Sequence, residues 1–389
     1  MDNKTALTRG VEKIFPDNAG LEKMLNSGKK LRIYNGIDPT GPTLHVGHMA
    51  TLMKLRDFQL LGHQIILLIG GFTATIGDPD KMSIRVPLTR GEVEENAKLY
   101  KEQAGRILDM ENVEFRNNAE WFEGMTFEEI LKLASEFTVS RLLEREMFQK
   151  RMEKGEPVYL HELMYPMMQG YDSLALGVDI EVGGNDQTTN MLVGRDFMMR
   201  HGKEKCVVAG KLLTDPTGKK MGKTEGNMIA LNDTPENMYG KVMSWPDSML
   251  PLSFEVCTRL PMDEAEKAIK DSPRDAKMWL AREIVEQFGG KGNGALAETA
   301  WTSTFQSGRI PESAPIAKVS GDEKLVEVLR ANNMIASNSD WRRLVDENAV
   351  KILDENGEEL EKVSDYDKTA SAGNVIKIGK MRFLRLEEK

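Results

Sequence analysis

Leu31-Arg32-Ile33-Tyr34-Asn35-Gly36-Ile37-Asp38-Pro39-Thr40-Gly41-Pro42-Thr43-Leu44-His45-Val46-Gly47-His48 is the stretch on which the fold turns. Residues 31–38 alternate apolar and polar and run into Pro39-Thr40-Gly41-Pro42, the pattern of a buried strand ending in a loop. From His45 onward Met49, Leu52, Met53, Leu55, Leu60 and Leu61 recur at roughly helical spacing, and Gly62 suits that helix's end. Gln64-Ile65-Ile66-Leu67-Leu68-Ile69-Gly70 follows, a near-continuous apolar run with the look of a central parallel strand.

Working outward, the strand–helix–strand rhythm repeats. A helix is expected around Thr89–Met110, a short strand at Val113–Arg116, a helix around Leu160–Leu176 and a strand at Asp179–Val182. Alternating β and α predict an α/β fold: a doubly wound, Rossmann-like parallel sheet whose ligands sit at the carboxyl ends of its strands. Residues of about 121–157 are helical and charged around Leu131, Leu133, Phe137, Leu142, Leu143 and Phe148, and read as an insertion into that sheet domain. Helical pattern resumes from Thr234 to about Pro315, with Gly289 to Gly294 as a flexible interruption and Pro311 and Pro315 as a linker. The remainder combines helices (Leu325–Ala331, Asp340–Asp346) with β-like stretches at Val350–Leu353, Val375–Ile378 and Met381–Leu386, a compact α+β module. The boundaries expected are 1–227 for the sheet domain, 228–318 for the helical domain and 321–389 for the last module.

Composition narrows the function classes. A chain of 389 residues, 40% hydrophobic and 29% charged, suits a soluble protein of two or three domains. No apolar run approaches the roughly 18 residues of a membrane span, and Met1-Asp2-Asn3-Lys4 opens no secretory signal. Cys206 and Cys257 form neither a CxxC pair nor a disulfide framework, so a reducing cytoplasm is the expected home. The net charge of −9 argues against indiscriminate coating of nucleic acid, and any RNA partner must be held by placed residues.

Two motifs carry chemistry. His45 and His48, three residues apart at a helix start, share one face of the first turn, where unpaired amides and the positive end of the helix dipole favour anions. Thr40 and Thr43 add hydroxyls, and Gly47 permits close approach of a flat group. Histidines that merely cap and pack remain open for the pair; a metal pair would need ligands that the scattered His63, His161 and His201 do not supply. About 175 residues later, Lys220-Met221-Gly222-Lys223-Thr224 offers two ammonium groups on a glycine-containing loop, suited to a triphosphate and a departing pyrophosphate. Taken alone, that loop is better read as a solvated lysine-rich turn. Gly218 to Thr224 approaches a P-loop but has three residues between its glycines where that motif needs four.

A small-molecule pocket is suggested by two further segments. Tyr165, Gln169 and Asp172 fall at i, i+4 and i+7 on an otherwise apolar helix, giving either a ligand site or a polar network. Gly183-Gly184-Asn185-Asp186-Gln187 follows a strand at its carboxyl end, with Asp186 placed for a ribose hydroxyl.

Together these residues resemble the class I aminoacyl-tRNA synthetases, and within them the bacterial-type tyrosyl-tRNA synthetases. His45-Val46-Gly47-His48 is similar to the family's HIGH motif, and Lys220-Met221-Gly222-Lys223-Thr224 to its KMSKS motif, with Gly and Thr replacing the two serines. The resemblance spans essentially the whole chain, and Trp341-Arg342-Arg343-Leu344-Val345 marks its small C-terminal RNA-binding domain. It implies that 228–318 is the domain for the tRNA anticodon arm, and that ATP (with Mg2+ on its phosphates), L-tyrosine and the tRNA for tyrosine are the substrates. No protein metal site and no membrane association are implied. Tyr34 and Asp172 would meet the substrate's phenolic hydroxyl. Asp78, Tyr165 and Gln169 would hold its ammonium, with Gln187 near its carboxylate. Asp38, Thr40, His45, Gly47, His48 and Thr51 would line the ATP site, with Gly184 and Asp186 at adenosine, and Lys220, Lys223 and Thr224 would act on the phosphates. Thr40, His45 and His48 join those last three as the catalytic set. Departures are Asn35, where some relatives carry cysteine, and Thr188-Thr189 in place of Trp-Gly.

The family is dimeric, and the insertion at about 121–157 is the expected interface. A tryptophanyl enzyme is the neighbouring alternative; it would want an acceptor for an indole N–H and no partner at Tyr34. A nucleotidyltransferase acting on a small metabolite and a non-catalytic RNA-binding descendant are two others. Retention of Lys220, Lys223 and His48 speaks against the last.

Overall fold

In the computed structural model, all residues are described except 79–87, 215–217, 219–228, 307–309, 311–313, 333, 336 and 380–381. Six strands form the first sheet: β1 Val11–Phe15, β2 Arg32–Ile37, β3 Gln64–Ile69, β4 Val113–Asn117, β5 Ile180–Gly184 and β6 Cys206–Gly210. Their order is β1-β6-β5-β2-β3-β4. Strands β2 to β6 are parallel, and β1 joins the β6 edge antiparallel. The chain therefore builds outward from β2 through β3 to β4, then returns to lay β5 on the other side of β2. That reversal is a topological switch point, and it puts Asp38 and Gly183–Gly184 at neighbouring carboxyl ends. Ile65 to Ile69 are all buried, as a strand covered on both faces requires.

The Val46–Leu60 helix starts at the expected place, with His45 as its N-cap, and stops before Gly62, whose φ of 89° falls in the left-handed region. Leu160–Leu176 is one helix, closed by left-handed Gly177. The single helix expected around Thr89–Met110 is instead broken into Arg90–Ala97 and Tyr100–Ala104. Thr89 and Glu92 form a capping box at its start. The second piece turns Tyr100 and Gln103 inward to hold the loop that follows β2. Tyr100 Oη donates to the Gly41 carbonyl (2.6 Å), Gln103 Nε2 to the Pro42 carbonyl (3.1 Å), and Leu44 N–H to Gln103 Oε1 (2.7 Å). These tertiary bonds override the periodicity.

The insertion consists of short helices, among them Phe127–Ser135, Val139–Leu143 and Glu146–Glu153, between β4 and the Leu160–Leu176 helix. Leu142 and Phe148 pack on Leu163 and Met167 of that helix.

By compactness the chain divides into Met1–Thr234 with Lys241–Lys291, and Pro235–Gly240 with Gly292–Lys389. The helices Leu250–Cys257, Met262–Asp271 and Pro273–Phe288 fall in the first unit. The second holds a five-stranded sheet of β7 Ile316–Val319, β8 Val350–Leu353, β9 Glu359–Lys362, β10 Val375–Ile378 and β11 Arg382–Glu388, ordered β7-β11-β10-β8-β9. Leu325–Ala331 and Asn338–Asp346 pack on it through Leu325, Leu329, Trp341 and Leu344. The Trp341 indole N–H donates to the Tyr366 carbonyl at 3.0 Å, so its polar atom is satisfied inside the core. No helix among the described residues is long and apolar enough to cross a membrane.

One buried ion cluster locks the Val46–Leu60 helix to the segment that follows the Leu250–Cys257 helix. Arg259 grips the Asp57 carboxylate with two bonds of 2.7 and 2.8 Å, while Lys54 approaches the same carboxylate at 3.1 Å. Asp57 is 1% exposed, so removing the guanidinium leaves a carboxylate facing a single partially desolvated cation. Arg259→Ala is expected to destabilise the fold by roughly 3 kcal/mol, read as a lower urea midpoint at unchanged slope; an unchanged midpoint would show the fork to be dispensable.

Candidate active site

Of the described residues expected at the site, all but Thr43 line one cavity of about 280 Å³: Tyr34, Asp38, Thr40, His45, Gly47, His48, Thr51, Asp78, Tyr165, Gln169, Asp172, Gly184, Asp186 and Gln187. Lys220, Lys223 and Thr224 lie outside the described residues. The described segments that flank them do reach this place. Lys211, Leu212 and Leu213 line the cavity upstream. Downstream, Val46 N–H donates to the Ile229 carbonyl (2.9 Å), and Leu231 N–H donates to the Leu44 carbonyl (2.9 Å).

These bonds correct one expectation. The amides at the start of the Val46–Leu60 helix are engaged: Val46 N–H by Ile229, Gly47 N–H by the His45 ring (3.0 Å), and His48 N–H by the His45 carbonyl (2.8 Å). The polar side chains that line the cavity at this helix start are the two imidazoles. His45 Nδ1 accepts from Gly47 N–H, and His48 Nδ1 accepts from His45 N–H at 3.1 Å. In each ring Nε2 then carries the proton and is the donor. The two ring centroids are 4.1 Å apart, a paired arrangement suited to one anionic group.

The other cavity wall is a chain of buried hydrogen bonds. The Asp38 carboxylate accepts from Thr73 Oγ1 (2.7 Å) and from Tyr165 Oη (2.8 Å). Asn118 Nδ2 donates to Thr73 Oγ1 (3.0 Å) and reaches Asp172 Oδ2 at 3.4 Å, while Trp121 Nε1 donates to Asp172 Oδ1 at 2.9 Å. Asp78 accepts from Gln187 Nε2 at 2.6 Å and lies 3.8 Å from the Arg145 guanidinium. Burial pushes the Asp172 carboxyl well above the usual carboxylate range, against the opposing pull of Trp121 and Asn118. The Tyr165 phenol is likewise raised, by burial first and then by the charges of Asp38, Asp78 and Asp172. Three carboxylates thus make this part of the cavity a cation-seeking field.

Comparison with known proteins agrees with this geometry. Residues 26–306 match the model for tRNA synthetases class I (W and Y). The chain is 40% identical over 399 residues to the tyrosine–tRNA ligase of Carboxydothermus hydrogenoformans, covering 98% of this chain and 96% of that one. To the Thermotoga maritima tyrosine–tRNA ligase it is 41% identical over 389 residues, with the same two coverages. Among solved structures, the C-terminally truncated mitochondrial tyrosyl-tRNA synthetase of Coccidioides posadasii superimposes with a TM-score of 0.64 at 25% identity, covering 76% of this chain and 90% of that one. The chain belongs to the bacterial-type tyrosine–tRNA ligases, class I synthetases that use ATP.

Several residues at this synthetase site escaped sequence reasoning. Asn118 and Trp121, which hold Asp172, sit just beyond β4 and stand in no periodic pattern with it. Glu181 is a charge in an apolar strand and Lys205 ends the charged run Lys203-Glu204-Lys205 just before β6; neither carries a motif. Gly70 had a signal, a glycine closing a central strand, but its reason is steric. A Cβ there would stand 1.9 Å from Asp38 Oδ1 and 2.4 Å from Thr73 Oγ1. Gly70→Ala is therefore expected to displace Asp38 from Tyr165 and Thr73 and to lower tyrosine-dependent ATP–pyrophosphate exchange by at least about tenfold. Wild-type exchange in that variant would contradict the tight approach.

Proposed function

We propose that this chain activates L-tyrosine with ATP and transfers it to its tRNA, using the cavity residues in the following roles. The observation that carries this reading is the juxtaposition of the Tyr34 hydroxyl and the buried Asp172 carboxylate with His45 and His48 around one cavity. A phenol donates its hydrogen to a carboxylate and accepts one from a hydroxyl. Phenylalanine leaves both groups unpaired in a desolvated site. Tyrosine-specific synthetases are themselves the established example of such discrimination, about 10⁵ against phenylalanine without editing.

Asp78, Tyr165 and Gln169 hold the ammonium of tyrosine within the field of the three carboxylates, and Gln187 stands near its carboxylate. Asp38, Thr40, Gly47 and Thr51 line the ATP site, with Gly184 and Asp186 at the adenosine. The tyrosine carboxylate attacks the α-phosphorus in line, giving tyrosyl-adenylate and pyrophosphate. The terminal adenosine of the tRNA then attacks the acyl carbon. No enzyme nucleophile is needed: Thr40, His45 and His48, with Lys220, Lys223 and Thr224, stabilise charge developing on the phosphates. Magnesium enters bound to the ATP phosphates as part of that substrate.

Residues 228–318 take the anticodon arm and 321–389 form an RNA-binding module, after the sheet domain of 1–227. The cytoplasm is the compartment in which free, buried Cys206 and Cys257 stay reduced.

Exchange of pyrophosphate into ATP should depend on tyrosine and on no other amino acid; exchange with tryptophan instead would sink the tyrosine assignment. Because ionised Asp172 is the form that accepts the phenolic hydrogen, and its pKa is raised, acidification should weaken tyrosine binding. The sign is a KM that climbs as pH falls through a range above that of ordinary carboxylates. Asp172→Asn should abolish that limb along with the preference over phenylalanine.

We also propose that two copies associate through the insertion. Phe127 and Leu131, one helical turn apart, are 73% and 54% exposed, and Val139 and Leu160 are exposed nearby in sequence. Large apolar side chains at that density serve an interface better than they serve water. Sedimentation at micromolar concentration should give twice the 43.7 kDa of the chain, and Phe127→Asp with Leu131→Asp should halve it. A wild-type species of 43.7 kDa would overturn the dimer.

A further inference from the structure

Lys205 is a lysine with no exposed side-chain surface, and it lies one step behind the cavity wall. Its ammonium donates to Ser173 Oγ at 2.8 Å and to Glu181 Oε2. Ser173 Oγ is in turn 2.9 Å from Tyr34 Oη, and Glu181 Oε1 accepts from Gln169 Nε2 at 2.9 Å. One cation thus stands at the centre of a chain, Tyr34–Ser173–Lys205–Glu181–Gln169, whose two ends both line the cavity. The ammonium also lies 5.9 Å from the centroid of the Tyr34 ring. Room for it is made by Gly194, where a Cβ would come within 2.8 Å of Lys205 Nζ.

What the ammonium fixes follows from donor chemistry. An ammonium can only donate, so it occupies one lone pair of Ser173 Oγ, and the serine bonds Tyr34 Oη through its hydrogen or its second lone pair. Lys205 and Gln169 each take one oxygen of the Glu181 carboxylate. Without the ammonium, Ser173 Oγ loses its anchor and the buried Glu181 carboxylate loses its cation, so neither Tyr34 nor Gln169 keeps a fixed partner behind the cavity wall.

We propose that Lys205 is a positioning residue for amino-acid selection: through Ser173 it holds the Tyr34 hydroxyl, and through Glu181 it fixes Gln169, at the wall of the cavity that meets the substrate. This rests on the assignment of the cavity to tyrosine. A buried ion pair is in itself weak evidence of a stabilising role. Here Glu181 spends its other oxygen on Gln169, which faces the cavity, and Lys205 reaches Tyr34 through Ser173.

The experiment is exchange kinetics with tyrosine and phenylalanine on the full chain. Lys205→Met alone leaves Glu181 charged and alone, so it is paired with Lys205→Met/Glu181→Gln, in which Gln169 keeps an amide acceptor. Ser173→Ala cuts the link to Tyr34 without unpairing a charge. In the double variant and in Ser173→Ala, the tyrosine KM should rise by at least about tenfold, the preference over phenylalanine should fall by at least about tenfold, and the ATP KM should stay within about twofold. Adding Ser173→Ala to the double variant should cost no further preference, because Lys205 acts on Tyr34 through Ser173. Wild-type preference in Ser173→Ala, or in a folded double variant, would overturn the proposal, as would additive losses; a change confined to melting temperature would make Lys205 merely structural. Failure of the underlying assignment looks different: the unmodified protein would then show no tyrosine-dependent exchange.

Discussion

The reversal of strand order at β2 is the constraint on which the rest of this molecule depends. With β3 on one side and β5 on the other, the chains leaving β2 and β5 part at adjacent carboxyl ends, and the crevice between them is the cavity. Three backbone positions make that crevice usable. Gly70, closing β3, admits the Asp38 carboxylate. Gly183 and Gly184, closing β5, admit Met191 and Asp186, whose atoms stand within 3 Å of where a Cβ would be. Side chains at any of these positions would fill the space that ligands and their carboxylates need.

Around that crevice the protein has exchanged apolar packing for a continuous buried polar lattice. Asp38, Thr73, Asn118, Asp172 and Trp121 form one run, and Tyr34, Ser173, Lys205, Glu181 and Gln169 form another. Burying such groups is costly unless they are bonded, and here nearly every atom has a partner. The cost is offset in the apolar strand β3 and in the packing of the helices that cover it. What results is orientation. Groups that are already bonded on their far side present a single donor or acceptor to the ligand, and a substrate lacking the matching group strands it in low dielectric.

How much of this was legible beforehand depends on the range of the interaction that fixes each element. Strand β2, the Val46–Leu60 helix and β3 lie within forty residues, and their periodicities agree with their environments. Local pattern therefore located them and the switch point they create. The Arg90–Ala97 and Tyr100–Ala104 break was not legible, because it is set by bonds from Tyr100 and Gln103 to a loop about sixty residues away. Edge strand β1, with two exposed residues of five, and β9, exposed throughout, lack the apolar signal that marked the central strands. At the site, Tyr165, Gln169 and Asp172 were visible as a helical stripe. Their partners Asn118, Trp121 and Glu181, and Lys205 behind Glu181, stand in no sequence pattern with that stripe, so only the folded chain brings them together. The paired histidines were expected to leave backbone amides open; the fold instead closes those amides, and the rings line the cavity.

That closure has a consequence for how the two signature segments work together. The His45 ring caps its own helix, but the Val46 amide is satisfied by Ile229, and the Leu44 carbonyl by Leu231. Both partners belong to the stretch of chain that leaves the Lys220–Thr224 segment, and His45 pairs with Ala230 as an antiparallel bridge. The orientation of the imidazoles is thus referenced to the exit of the lysine segment and not to their own helix alone. A displacement of that exit must either break two buried backbone bonds or carry the N-cap with it. Since an unpaired buried amide or carbonyl is expensive, the second course is favoured. The start of the histidine helix and the chain that follows Lys220–Thr224 are consequently coupled through Leu44–Val46.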